Sequence, residues 1–236
     1  MRIKTNTIKI DTLMIKTPTL KPKESRGIAW RGIRYLLAND SDKILRRHFL
    51  RHPLRHALGA IRSLFTKNHH RHEGLFLYGL DDIQAFQELI AADDTVVVVG
   101  FSYCHKPKEC PSGRFTTECL PSCQQCFIGQ ALHRIPKDYT PIVVTTVQYV
   151  GEQMFNIIEK HPGKKVIFIM TACEMMLTMF APLATIMGAK GIGIKLDGRV
   201  CTTTKGFTLA EDGNKPGVTV VTPYNQSLFF EILGLQ

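Results

Sequence analysis

The sequence predicts an α/β protein: a mostly parallel sheet flanked by helices, with a basic helical N-terminal extension and a cysteine-rich insertion at the sheet's carboxyl edge. Three observations predict it. From residue 75 onward, short β-branched apolar runs alternate with helical segments at a spacing that demands crossover connections. Five of the seven cysteines crowd into residues 103–128, directly after one such run. The net charge of +10 is confined to the first third: residues 1–73 hold 17 Lys/Arg against 5 Asp/Glu, whereas residues 74–236 hold 13 against 15. Composition breaks near His72-Glu73-Gly74, which divides the chain into a basic extension (1–73) and a cysteine-rich domain (74–236).

In order, residues 1–25 alternate weakly and end in Lys-Pro-Lys, the pattern of an extended arm. A short helix fits 28–38. Asn39-Asp40-Ser41 is a cap sequence for a helix starting near Asp42. Leu45, Phe49, Leu54, Leu58, Ile61 and Phe65 form an apolar stripe broken at Pro53, with Arg46, Arg47, Arg51, Arg55 and Arg62 on other faces. His48, His52 and His56 fall four apart and would share a face only if the helix ran through Pro53. With no fourth ligand nearby, they read as surface residues. The basic stretch suits nucleic acid, acidic lipid or an acidic partner. A helical cap whose stripe packs on the main domain is favoured, because no stacking aromatics or nucleic-acid motif accompany the charge.

The main domain reads as helix 81–91, strand 95–100, helix 124–135 closed by Pro136, strand 141–146 and helix 148–160. After a Pro162-Gly163 turn come strand 165–170, helix 174–187 stopped by Gly188, and strand 191–196. A further strand over 199–209, a turn cluster at 211–217, a strand at 218–221 and a helix at 226–233 complete the reading. Residues 166–189 carry a single charge, Glu174, yet their β-branched start and Pro182 predict a buried strand and helix, not a membrane span. Residues 1–19 lack a secretory h-region and cleavage site, so a cytoplasmic, reducing compartment is expected.

In such a compartment a thiol group binds metal more readily than it forms disulfides. The cysteines run Cys104-x5-Cys110-x8-Cys119-x3-Cys123-x2-Cys126, followed by Cys173 and Cys201. Cys104, Cys173 and Cys201 each lie just past a strand, so parallel topology predicts that they meet the loop cysteines at one rim. Iron–sulfur clusters use such thiol spacings, with Cys104, Cys110, Cys119, Cys123 and Cys126 as first ligands and Cys173 and Cys201 as further ligands or substrate thiols. Seven thiols divide as four plus three, enough for one or two four-iron clusters. Zinc is the alternative and needs only four sulfurs. The x3, x2 spacing also matches radical S-adenosylmethionine enzymes, but Gln125 stands where those carry an aromatic. Glu174, beside Cys173, is a weak candidate for proton transfer, and a solvated helix-start carboxylate is the plainer reading. Tyr103 and His105 could hydrogen-bond cluster sulfurs. A redox partner or small molecule would be the natural counterpart; nucleic acid is not favoured.

The ordered set (an apolar strand ending at Cys104, Cys110-Pro111, Cys119/Cys123/Cys126 then Ile128, Ala172-Cys173-Glu174, and Gly198, Cys201, Thr203) resembles the family called domain of unknown function 116. The resemblance covers about residues 95–204. It implies iron–sulfur binding and names no reaction. His105-Lys106 stands in place of that pattern's Leu-Arg, and Gln124-Gln125 in place of a Gly.

Overall fold

The computed structural model describes residues 43–65, 69–72, 74–215 and 217–235, with Gly27, Arg31, Arg34, Leu37, Ala38 and Asp40 before them. The arm expected over 1–25, and all but single positions of the helix expected over 28–38, lie outside the described residues.

The described elements are α1 (Ile44–Arg51), α2 (Pro53–Phe65), β1 (His70–His72), β2 (Leu75–Tyr78), α3 (Ile83–Ile90), β3 (Thr95–Ser102), α4 (Phe127–Leu132), β4 (Thr140–Val144), α5 (Val147–Lys160), β5 (Lys165–Ala172), α6 (Glu174–Met187), β6 (Lys190–Lys195), β7 (Asp197–Gly198), α7 (Thr204–Glu211), β8 (Thr219–Val220) and α8 (Pro223–Ile232). The main sheet runs β1-β2-β6-β5-β3-β4. Strands β6, β5, β3 and β4 are parallel, and β2 and β1 add an antiparallel edge. The compositional break falls at the turn of that edge hairpin, where Gly74 takes φ +89°.

Each parallel strand is buried on both faces, which is why its sequence is an unbroken apolar run. Val96, Val98, Phe168 and Met170 pack with α5 and α6, whereas Val97, Val99, Phe101, Ile167 and Ile169 pack with α3, α4 and α8. No described helix is long and apolar enough to cross a membrane; the run over 166–189 is divided between β5 and α6.

Three expectations are corrected. Residues 199–209 are not a strand: after the two-residue β7, Thr203 accepts from the Gly206 N–H at 3.1 Å and starts α7, which buries Phe207, Ala210 and Glu211 at helical spacing. At the N-terminal side, α1 starts later than its cap sequence predicts. Lys43 occupies the cap position at φ +56°, and Asp40 accepts from the Arg46 N–H at 2.9 Å.

Of the stripe, Phe49 packs on the domain against Phe155, but the α2 residues Leu54, Leu58, Ile61 and Phe65 are exposed. Pro53 cannot donate to the preceding turn, so the chain breaks at His52 and restarts. What docks on α6 is the opposite face. His56 is buried with Nδ1 3.3 Å from the Ile186 carbonyl, and Gly59 lies so close that a Cβ would come within 2.7 Å of the same oxygen. His56 is therefore not a surface residue, and its neutral form is favoured by burial.

Candidate functional site

Strands β3 and β5 are neighbours, but the helices that follow them, α4 and α6, cover opposite faces of the sheet. That makes a switch point between their carboxyl ends, the crevice in which α/β proteins hold ligands. Cys104 sits in the turn after β3, Cys173 caps α6 directly after β5, and Cys201 arrives from the segment between β7 and α7. The three line one small cavity of about 30 Å³, together with Tyr103, Thr171 and Glu211. This volume holds little more than a water molecule.

Cys173 and Cys201 contact each other through their thiols, and the contact shifts the two in opposite directions; the Cys201 sulfur also lies 3.6 Å from the Gly206 carbonyl. That contact and burial push Cys173 well up, while the same contact, with Lys215, brings Cys201 down to about 6. The Lys215 Nζ lies 3.5 Å from the Cys201 sulfur, and the ammonium is buried. Cys104 is raised by burial, with Lys215 opposing. Of the three, Cys201 is the thiol that deprotonates most readily. In the reduced, metal-free protein, iodoacetamide labelling followed by peptide mass spectrometry should reach half-rate at Cys201 near pH 6, and Lys215→Gln should move that midpoint upward.

Glu211 is the carboxyl that lines the cavity. Its Oε2 accepts from the Val147 N–H at 2.8 Å, and burial pushes the carboxyl up to about 8. Tyr103 donates to the Ala210 carbonyl, and burial raises its pKa. His105 lies 2.8 Å from the Thr171 hydroxyl and is lowered to about 3 by burial. The hydrogen bonds shown for these two side chains go to Ala210 and Thr171, and they pin the turn after β3 to α7 and to β5.

Because His105 is depressed when folded, the unfolded chain binds the extra proton first. The His105 contribution should be intact above about pH 6.5 and be lost as pH drops toward 3, by up to about 4 kcal/mol, whereas the raised Glu211 works in the opposite sense and loses its contribution as pH rises toward about 8. Urea midpoints measured across that range for the protein and for His105→Gln check this, since the variant should lose the His105 share of the slope.

The loop that follows is organised from below by Lys106, which is 1% exposed. Its ammonium donates to the carbonyls of Gly113 (3.2 Å), Thr116 (2.9 Å) and Glu118 (2.5 Å), and to the Thr116 hydroxyl (2.8 Å). Arg114 reaches across to the carbonyls of Lys215 and Gly217, and Phe115 packs on Tyr103 with ring centres 5.0 Å apart. The loop is thus tied to the segment that carries Lys215.

Within it Cys110, Cys119, Cys123 and Cys126 share one neighbourhood. Cys119 is raised first by burial, then by Cys126, Cys123 and Cys110, with Lys106 pulling the other way. Cys126 caps α4, whose Gly129 has no room for a side chain because a Cβ would strike the Cys123 carbonyl. All seven thiols are free. They stand as a loop set of four and a rim set of three. Among the described residues, no three or more His, Cys, Asp or Glu side chains are arranged to hold a single metal ion.

Glu174 is not solvated. It is buried between Arg71 (Nη1 2.6 Å) and Lys195 (Nζ 3.5 Å), outside the cavity lining. The cavity's carboxyl is Glu211, which the sequence reading placed in a turn cluster; the helical spacing of Phe207, Ala210 and Glu211 was the signal for it.

Fold and site together define an α/β protein with a thiol-lined carboxyl edge and a docked, lysine-anchored cysteine loop. Comparison with family models, curated proteins and solved structures finds no match to this chain.

Proposed function

We propose that the chain is an iron–sulfur redox protein in which Cys110, Cys119, Cys123 and Cys126 hold a four-iron cluster and Cys104, Cys173 and Cys201 carry out sulfur chemistry beside it. The observation that carries the reading is the separation of seven reduced thiols into a loop set of four and a rim set of three. Four thiolates are the full ligand set of such a cluster. Cluster thiolates stand wider apart than the ligands of one ion, since irons and sulfides lie between them. The zinc alternative would use four sulfurs about 3.8 Å apart around one metal and leave three thiols over. The Lys106 ammonium beside Cys119 would offset thiolate charge and is the kind of outer partner that tunes a cluster.

When bound, the cluster would supply single electrons. The rim supplies the rest: Cys201 is the thiolate, Cys173 holds the adjacent proton, and Glu211 holds a second in the same cavity. The cavity is too small for a second cluster as it stands, so reaction of the thiols with a redox partner or small molecule fits it better. Anaerobic reconstitution with iron and sulfide tests the division of labour. Cys123→Ser should remove the broad visible absorption of the cluster, whereas Cys201→Ser should keep it. Loss of colour in both, or in neither, would count against the division.

A further inference from the structure

Among the described residues one large apolar face has no partner, and it is the face that the sequence reserves for the core. On α2 the docked side is His56 and Gly59. Leu54, Leu58, Ile61 and Phe65 lie together on the other side, at positions separated by three or four residues. They are 81%, 68%, 53% and 85% exposed, and Leu50 of α1 extends the patch at 79%. Isolated exposed leucines are ordinary, but a contiguous stripe of this size marks an interaction surface.

Charge identifies the occupant. Residues 43–65 contain six Lys/Arg and no Asp or Glu. Beside the α1–α2 junction lies a cleft of about 690 Å³ that Arg51 and Arg55 line with Lys164, Lys165 and Lys190; its one carboxylate, Glu159, already pairs with Arg51 at 2.8 Å. Lys165 likewise pairs with Asp94 at 3.0 Å, so the cations of residues 43–65, a stretch without a carboxylate of its own, carry the match: an apolar helix face flanked by them suits an acidic lipid surface, with side chains entering the acyl boundary and arginines meeting headgroup phosphates. Nucleic acid would use the cations but leave the leucines and Phe65 in water.

We propose that α2 seats the protein on an anionic bilayer, lying in the interface and not spanning it. This goes beyond the redox reading and is independent of it, since the thiol sites play no part.

Vesicle co-sedimentation of the full chain tests the proposal. The protein should pellet with phosphatidylcholine vesicles containing phosphatidylglycerol, remain in solution with phosphatidylcholine alone, and be released by added salt. Leu58→Glu combined with Ile61→Glu should weaken partitioning roughly tenfold or more while circular dichroism is unchanged, because both positions are exposed. Binding that ignores lipid charge, absent binding, or a double variant that binds as well as the parent would overturn it. A dimer that the double variant converts to monomer would identify a second copy as the occupant instead. Tight duplex binding that the variant leaves intact would assign the cations to nucleic acid.

Discussion

Lys106→Ala is expected to release the cysteine loop. The ammonium is the meeting point of three carbonyls and a hydroxyl spread over Gly113, Thr116 and Glu118, which share its three N–H donors and lose them together in the variant. Charged hydrogen bonds of this kind are individually worth more than neutral ones, and burial leaves their acceptors unsatisfied when the donor goes. The freed acceptors regain some water because the loop's outer side is exposed, so the expected loss of stability is about 3 kcal/mol. Two readouts check it: the urea midpoint, and limited trypsin digestion, which should cut at Lys108 and Arg114 in the variant and spare them in the parent. Lys106→Arg should rescue poorly, because a planar fork does not converge on acceptors that surround a point charge.

Glu174→Ala should be the most damaging change away from the thiols. It removes the anion from between Arg71 and Lys195 and leaves two cations facing each other at the start of α6. Breaking a buried pair by deleting one partner costs about 3–5 kcal/mol. The Arg71 side chain retains 28% of its exposure and Lys195 14%, so solvent screening brings the expectation to about 2–4 kcal/mol. Glu174→Gln should cost less, since it keeps an acceptor for Arg71. Denaturant unfolding measures both. The effect is structural: Arg71 belongs to β1, so its pairing with α6 also holds the edge hairpin against the sheet.

Much of the fold was legible because burial on two faces writes itself into sequence. The runs that became β3, β4, β5 and β6 are apolar without alternation, and Gly188 stops α6 at φ +69° as a left-handed cap residue should. The convergence of Cys104, Cys173 and Cys201 followed from topology, since parallel strands place their carboxyl ends together. Three features were hidden. The amphipathic pattern of α2 shows which side chains are apolar but not whether a core awaits them, and His56 with Gly59 docks because the close approach needs a small residue. Thr203 could equally begin a strand or cap a helix, and the choice depends on the cavity that Phe207 and Glu211 help to close. The burial of Lys106 has no sequence signal, because the carbonyls that surround it are brought round by a loop with no regular period.

The most direct measurement is the iron, zinc and acid-labile sulfide content of protein purified without oxygen, with its visible spectrum. The account predicts about four irons and about four sulfides per chain, falling to none in Cys119→Ser and Cys123→Ser. Protein that stays colourless after anaerobic reconstitution, or that carries about one zinc and no sulfide, would contradict it.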